Sequence, residues 1–185
     1  MLFDPAYPFQ LPFLPPKIDF KNPVFMPWLL KARTEMAELK GYSASMPNPM
    51  LLISPAVIKE SVASSNIENI NTTIVEVLQN QLFPEAEQRK PDKEVLRYRD
   101  AVLWGFENLK TFPVVTRLIL GIHKKLIPQG HGEYRKLQNQ IKNMTTGDVL
   151  YMPPASSEIP RLMSNWEKMM NESNEELDPL IKCAI

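Results

Sequence analysis

Cysteine is almost missing from this chain of 185 residues. Cys183 is the only one, which excludes an intrachain disulfide and removes the thiolate sets on which structural zinc sites are built. Histidine is nearly as scarce. His123 and His131 are the only two, neither has a carboxylate at ligand spacing beside it, and the reading for His123 is packing or capping, with no metal expected. Net charge is lacking as well: 21 Lys plus Arg balance 21 Asp plus Glu, so there is no general field to draw in nucleic acid or an anionic membrane. No run of about eighteen apolar residues occurs, and Met1-Leu2-Phe3-Asp4-Pro5 has no basic segment ahead of an apolar one. The expectation is a cytoplasmic protein with no membrane partner. A Gly-rich phosphate loop, a Gly-x-Ser-x-Gly elbow and a zinc-helix motif are all absent, so no catalytic residue is assigned within this chain.

What is abundant is proline: 18 against 6 glycines, a ratio that argues for rigid connections. Six of the prolines fall in residues 1–24 among Phe3, Tyr7, Phe9, Leu11, Phe13 and Leu14. That segment reads as an extended apolar arm lying along the surface of its own domain, because proline fixes its own φ and cannot donate. Hydrophobic content of 44% and charged content of 23% are ordinary for one globular domain, with residues 25–110 as an N-terminal helical region and 111–185 as the start of a second portion.

Helical spacing governs the chain from Pro27 to Ile127. Pro27 opens a helix through about Lys40, with Leu29, Leu30, Arg33, Met36, Ala37 and Lys40 as a buried stripe and Gly41 as its stop. Ser54-Pro55 is an N-cap and first-turn pair. The helix it starts, about 54–69, carries Val57, Ile58, Val62 and Ser65 on one face and Ser61, Ser64 and Glu68 on another. Thr73-Ile74-Val75-Glu76 is a capping box for a new helix, so the backbone breaks within residues 69–72 and Glu68 stands at a helix end. A carboxylate there opposes the helix dipole, and a cationic partner would be worth more than usual. A helix from Asp92 to about Lys110 has Val95, Tyr98, Val102, Phe106 and Leu109 on its core face. Another, Val114 to Ile127, turns Leu118, Ile119, Ile122 and Leu126 inward.

Beyond the loop Gln129-Gly130-His131-Gly132 the period shortens. Leu137, Asn139 and Ile141 alternate with Gln138 and Gln140, and Val149-Leu150-Tyr151-Met152 forms a second strand, giving a β-hairpin over about 136–153 with Asn143 to Asp148 at its tip. Pro153-Pro154 ends it, and such an edge suits an extended peptide. Ile159, Leu162, Met163, Trp166, Met169 and Met170 mark a further amphipathic helix, followed by a polar connection, Asn171 to Glu176. Asp178-Pro179 then caps a strongly apolar start, Leu180 to Ile185, and the chain reads as cut inside a buried helix. The fold class is mainly α, a helical bundle with one hairpin, incomplete at its C-terminal end.

Taken in order, these pieces resemble the Fic family of AMP-transferring enzymes, in particular members with an N-terminal inhibitory helix. The most specific piece is Ser64-Ser65-Asn66-Ile67-Glu68-Asn69, similar to the family's inhibitory pattern of Ser or Thr, three residues, Glu, then Gly or Asn. It is supported by Asn71-Thr72-Thr73, Ile122-His123-Lys124-Lys125-Leu126, Gly132-Glu133-Tyr134-Arg135 with Gln138 and Ile141, and Tyr151-Met152-Pro153-Pro154. The resemblance implies that Ser64, Glu68 and Asn69 are inhibitory, Glu68 pairing with an arginine of the catalytic signature. It implies that the hairpin is a flap whose Gln138, Asn139, Gln140, Ile141, Val149, Leu150, Tyr151 and Met152 dock a segment of a target protein. It further implies ATP and Mg²⁺ as cofactors of the intact protein, with none for this chain alone, because the signature His-Pro-Phe-x-x-Gly-Asn-Gly-Arg is not among these residues. The remaining partner is the Fic core that bears the signature, in the same or a separate chain; a homo-oligomer is also compatible. On this reading the chain alone transfers no AMP. The alternative is a non-enzymatic, antitoxin-like module that inhibits a separate Fic chain.

Overall fold

The computed structural model describes residues 4–48, 50–67, 69–80, 82–84, 89–172 and 177–185, without the side chains of residues 50–54. The fold is mainly α with one hairpin. Among the described residues there are seven helices, α1 (Met26–Ala44), α2 (Met50–Ile67), α3 (Ile74–Asn80), α4 (Lys90–Asn108), α5 (Thr116–Leu126), α6 (Ile159–Asn171) and α7 (Pro179–Ala184). A two-stranded antiparallel sheet, β1 (Ile141–Lys142) and β2 (Val149–Tyr151), lies between α5 and α6 in sequence. They form two compact units, Pro27–Pro113 with Arg117–Gly132, and Met1–Met26 with Val114–Thr116 and Glu133–Ile185.

In the first of these units the core is small and specific. Ile58 and Val62 of α2, Val77 of α3, and Val95 and Leu96 of α4 are all less than about a tenth exposed and form one cluster. The buried face of α2 reads Ile58, Ser61, Val62, Ser65, spaced three and four apart. This corrects the expected division of faces: Ser61 is fully buried. It stays there because its hydroxyl donates to the Val57 carbonyl at 2.7 Å, which satisfies it within its own helix. The start of α2 is corrected too. It begins at Met50, not at Ser54, and Pro55 lies inside it. Pro55 forfeits the bond to the carbonyl four residues back and its ring crowds that carbonyl, while Met50-Leu51-Leu52 ahead of it are good helix formers.

α1 runs through Gly41 to Ala44. A side chain at Gly41 would meet nothing within 4 Å, so its cost is the roughly 1 kcal/mol of an exposed helical glycine, too little to end the helix. The ending falls later, where the Ser43 hydroxyl donates to the Lys40 carbonyl and that of Ser45 to the Tyr42 carbonyl. The stripe expected to be buried on α1 is not. No residue of α1 is buried, and Leu30 and Met36 are more than half exposed. A period of 3.6 identifies a face suited to burial without naming what covers it.

α4 corrects the sequence reading along its second half. Val95 is buried as expected, but Val102, Phe106 and Leu109 are exposed, and the buried line continues through Ala101 and Gly105. The reason is close approach of α5. A Cβ on Gly105 would lie 2.8 Å from Ile122 Cδ1, and one on Gly121 would lie 2.4 Å from the Trp104 ring, so small residues mark the contact and larger ones turn outward.

The other unit is held largely by side chains bonding to backbone. The arm places Leu14 against Asn165 of α6, whose amide accepts from the Leu14 N–H at 2.7 Å and donates to the Leu14 carbonyl at 2.9 Å. Nearby the Phe9 N–H donates to the Met152 carbonyl at 2.8 Å, and the Arg161 guanidinium sits 4.5 Å from the Phe13 ring centre. Asn171 makes the same two-way bond with Val114. The Thr116 amide and hydroxyl both donate to Glu167, and Tyr134 donates to the Thr116 hydroxyl at 3.0 Å. Asp178 caps α7 as its sequence indicates, accepting from Leu180 N–H at 2.8 Å. Of the apolar residues after it, Leu180 and Ile181 are half-buried, while Cys183, Ala184 and Ile185 are exposed.

Replacing Asn165 with Leu keeps the branching of the side chain and removes both bonds to the arm, at about 1 kcal/mol each. We expect Asn165→Leu to lower stability in urea by about 2 kcal/mol and to speed proteolysis within residues 4–14; an unchanged unfolding midpoint would show that the arm is held by its apolar contacts instead.

Candidate functional site

The end of α2 is built by backbone geometry. The Asn69 N–H donates to the Asn66 carbonyl at 3.1 Å, the Ile70 N–H donates to the Ser65 carbonyl at 3.0 Å, and Asn69 has φ +60°. This is the Schellman arrangement, in which one left-handed residue lets two amides turn back onto the last helical carbonyls. Only glycine and asparagine enter that conformation cheaply. The sixth position of the inhibitory-like pattern therefore has a local explanation. Ser64, half-buried, donates to Glu60 Oε1 at 3.0 Å and approaches the Tyr98 hydroxyl at 3.5 Å. Glu68, expected to be the inhibitory carboxylate, lies outside the described residues.

Immediately beyond, the chain enters a polar cluster that the sequence did not reveal. Asp92, in the first turn of α4, is completely buried. It accepts from the Thr72 hydroxyl at 2.5 Å, Asn80 Nδ2 at 2.7 Å, Arg89 Nε at 2.7 Å and Arg89 Nη2 at 3.1 Å. Four donors around one carboxylate satisfy a charge that would otherwise be prohibitive to bury. Arg89 also reaches Glu76 Oε1 at 3.1 Å through Nη1. Glu76 is the acid of the capping box: it accepts from the Thr73 N–H at 2.9 Å and the Thr73 hydroxyl at 2.9 Å, while its own N–H donates to Thr73 Oγ1 at 3.3 Å. The Arg89 guanidinium, followed by the Thr73 donors, holds the Glu76 carboxyl below its ordinary value of 4.5. The two carboxylates raise Arg89 above its ordinary value, Asp92 the more strongly.

The hairpin forms, with shorter strands than its alternation implies. Ile141 pairs with Tyr151 and Lys142 with Val149, whereas residues 137–140 are not strand. The reason lies in their bonds. Gln138 Nε2 donates to the Pro153 carbonyl at 2.8 Å, Arg135 donates to the carbonyls of Leu137 and Pro154, and the Ser156 hydroxyl donates to the Lys136 carbonyl at 3.0 Å. Side chains thus replace the ladder bonds that Pro153 and Pro154 cannot donate. At the tip, Asn143 Oδ1 accepts from Thr145 and Thr146, and Gly147 takes φ +79°. Gln138, Asn139, Gln140, Ile141 and Leu150 are exposed, Val149 and Tyr151 half-buried, and Met152 buried. Gln138 is occupied with Pro153, and Met152 packs inward, leaving Asn139 to Ile141 with Leu150 as the free edge.

Among the described residues no three His, Cys, Asp or Glu side chains gather as metal ligands, and the positive-φ glycines, Gly132 and Gly147, lie in isolated turns and form no phosphate cradle. Nor is any described helix long and apolar enough to cross a membrane. His123 has a buried Nδ1 without a hydrogen-bond partner among the described residues.

The architecture is thus that of a mainly helical protein with a capped helix end in one unit and an edge hairpin in the other. Residues 26–107 match the family model described as Fic/DOC family N-terminal. The match opens at the first residue of α1 and spans the end of α2, the Thr72–Asp92 cluster and nearly all of α4. It supports Fic family membership.

Two outcomes are expected of this geometry. Asn69→Gly should keep full stability, while Asn69→Val should lose about 1–2 kcal/mol in chemical denaturation, since a branched residue resists the left-handed conformation. A depressed Glu76 contributes stability above its unfolded pKa, and that contribution is lost as pH falls through the folded value. Glu76→Gln should therefore be less stable than the parent at pH 7, and the gap should close on acidification below about pH 4.5; a gap constant from pH 7 to pH 3 would contradict the ion pair.

Proposed function

We propose that this chain is the N-terminal, autoinhibitory and target-docking portion of a Fic protein that transfers AMP from ATP to a Ser, Thr or Tyr hydroxyl of a target protein. The observation that carries the reading is the capped end of α2, which brings the Ser64-to-Asn69 pattern to a fixed helix terminus inside the segment that matches the family. The inhibitory group is Glu68. A carboxylate at that point pairs bidentately with an arginine of the Fic core, occupying the guanidinium that would otherwise position the nucleotide phosphates.

The hairpin supplies the second part. A target segment adds along the exposed edge at Asn139, Gln140 and Ile141, with backbone bonds for affinity and Leu150 as an apolar contact. A stand-alone inhibitor has no use for such an edge, so the hairpin favours the docking portion of an enzyme over the antitoxin-like alternative. ATP and Mg²⁺ are held by the core that bears the catalytic signature, and this chain contributes no ligand to either.

Glu68→Gly in the full-length protein should raise incorporation of label from α-labelled ATP by about tenfold or more, within the usual range for relief of a coupled inhibitory contact. Equal incorporation in the two proteins defeats the inhibitory assignment. The 185-residue chain alone should incorporate none.

A further inference from the structure

We infer that the Thr72 hydroxyl, bonded to the buried carboxylate of Asp92, is a latch that positions the end of α2, so that Thr72 acts as a positioning residue for Glu68. This rests on the inhibitory reading of Glu68 given above. Glu68 stands in sequence between Ile67, the last residue of α2, and Asn69. The Schellman bonds at Asn69 and Ile70 are local to that helix end and set its direction, leaving its place against α4 to other contacts. On the N-terminal side Val62 shares the apolar cluster with Val95 and Leu96 of α4, a contact without direction, and Ser64 approaches the Tyr98 hydroxyl at 3.5 Å, a weak one. On the C-terminal side Thr72 meets α4 at 2.5 Å, is 7% exposed, and its partner Asp92 is 0% exposed.

Apart from Asp92, the Thr72 hydroxyl meets only Glu76 Oε2 and Arg89 Nη2 among the described residues, each at 3.5 Å, the outer limit of a hydrogen bond. The capping box of α3 is completed by Thr73 and Glu76, so loss of the Thr72 hydroxyl leaves that helix start intact. Asp92 would keep Asn80 and Arg89 as donors, so its charge would stay compensated. The bond therefore links one short segment, residues 69–72, to the rigid start of α4. A purely structural threonine at this position would affect stability alone. A positioning threonine also affects inhibition, and only where Glu68 is present.

The test has two readouts. In hydrogen exchange on this chain, Thr72→Val should speed exchange of the Asn69 and Ile70 amides by about tenfold while the Val62 and Val95 amides hold, since the opening is local. Thr72→Ser, which keeps the hydroxyl, should match the parent, and Thr72→Ala serves as a second variant if the valine protein folds poorly. Unchanged exchange at Asn69 and Ile70 overturns the latch. In the full-length protein, Thr72→Val should raise label incorporation from α-labelled ATP about fivefold, Thr72→Ser should not, and Thr72→Val should add nothing to Glu68→Gly. If Glu68→Gly activates and Thr72→Val does not, the latch is wrong and the inhibition stands. If Thr72→Val activates equally in the Glu68→Gly background, it acts through another route and the latch is again wrong. If Glu68→Gly itself has no effect, the inhibitory reading fails and the latch fails with it.

Discussion

A single buried carboxylate organises one of the two units. Asp92 takes donors from the segment after α2, from the end of α3 and from the residue that caps α4. Burying such a charge is tolerable because four donors share it, the Arg89 guanidinium foremost, and leaving a buried charge without its ionic partner costs on the order of 3 kcal/mol or more. That is a large share of the 5–15 kcal/mol that holds an ordinary domain folded. The apolar cluster beside it, Ile58, Val62, Val77, Val95 and Leu96, supplies attraction without direction. Asp92 supplies direction, because hydrogen bonds to a carboxylate hold only at particular positions of their donors.

The other unit solves a different problem, set by its prolines. A chain with Pro12, Pro15, Pro16, Pro153 and Pro154 keeps its carbonyls but lacks the amides that would make regular ladders. Long polar side chains take over. Asn165 serves Leu14, Gln138 serves Pro153, Arg135 serves Pro154, and Lys182 donates to the carbonyls of Met170 and Glu172 at the end of α6 at 2.8 and 3.0 Å. The last of these also places a cation at a helix C-terminus, where the dipole favours it. The result is an arm and a hairpin base set by side chains, with Asn139 and Gln140 exposed just ahead of the one ladder pair, Ile141 with Tyr151, that follows them.

What was legible in the sequence was whatever a few neighbouring residues decide. The Thr73–Glu76 capping box, the Asp178–Pro179 helix start, the turn at Asn143 to Gly147 and the mainly helical class with one hairpin are all settled within four or five positions. Thr72 and Asp92 stand twenty residues apart, and nothing local marks a pair that meets only when α3 folds between them. The glycines at 105 and 121 were invisible for the same reason, since their meaning lies in which helix crosses which. Local signals also failed where two of them competed. Ser54-Pro55 reads as a helix start, yet α2 already begins at Met50, where Met50-Leu51-Leu52 also favour helix.

The division of labour at the end of α2 explains why a short pattern carries so much. Ser61 and Ser65 are buried on the face that packs inward; such small residues allow that face to lie close to its neighbours, and the Ser61 hydroxyl is satisfied on its own helix by the Val57 carbonyl. Ser64 sits at the margin, where its hydroxyl meets Glu60 and Tyr98. Asn69 then reverses the chain, and Thr72 returns it to α4. Replacing Asn69 with a larger branched residue would disturb that reversal before it disturbed the core.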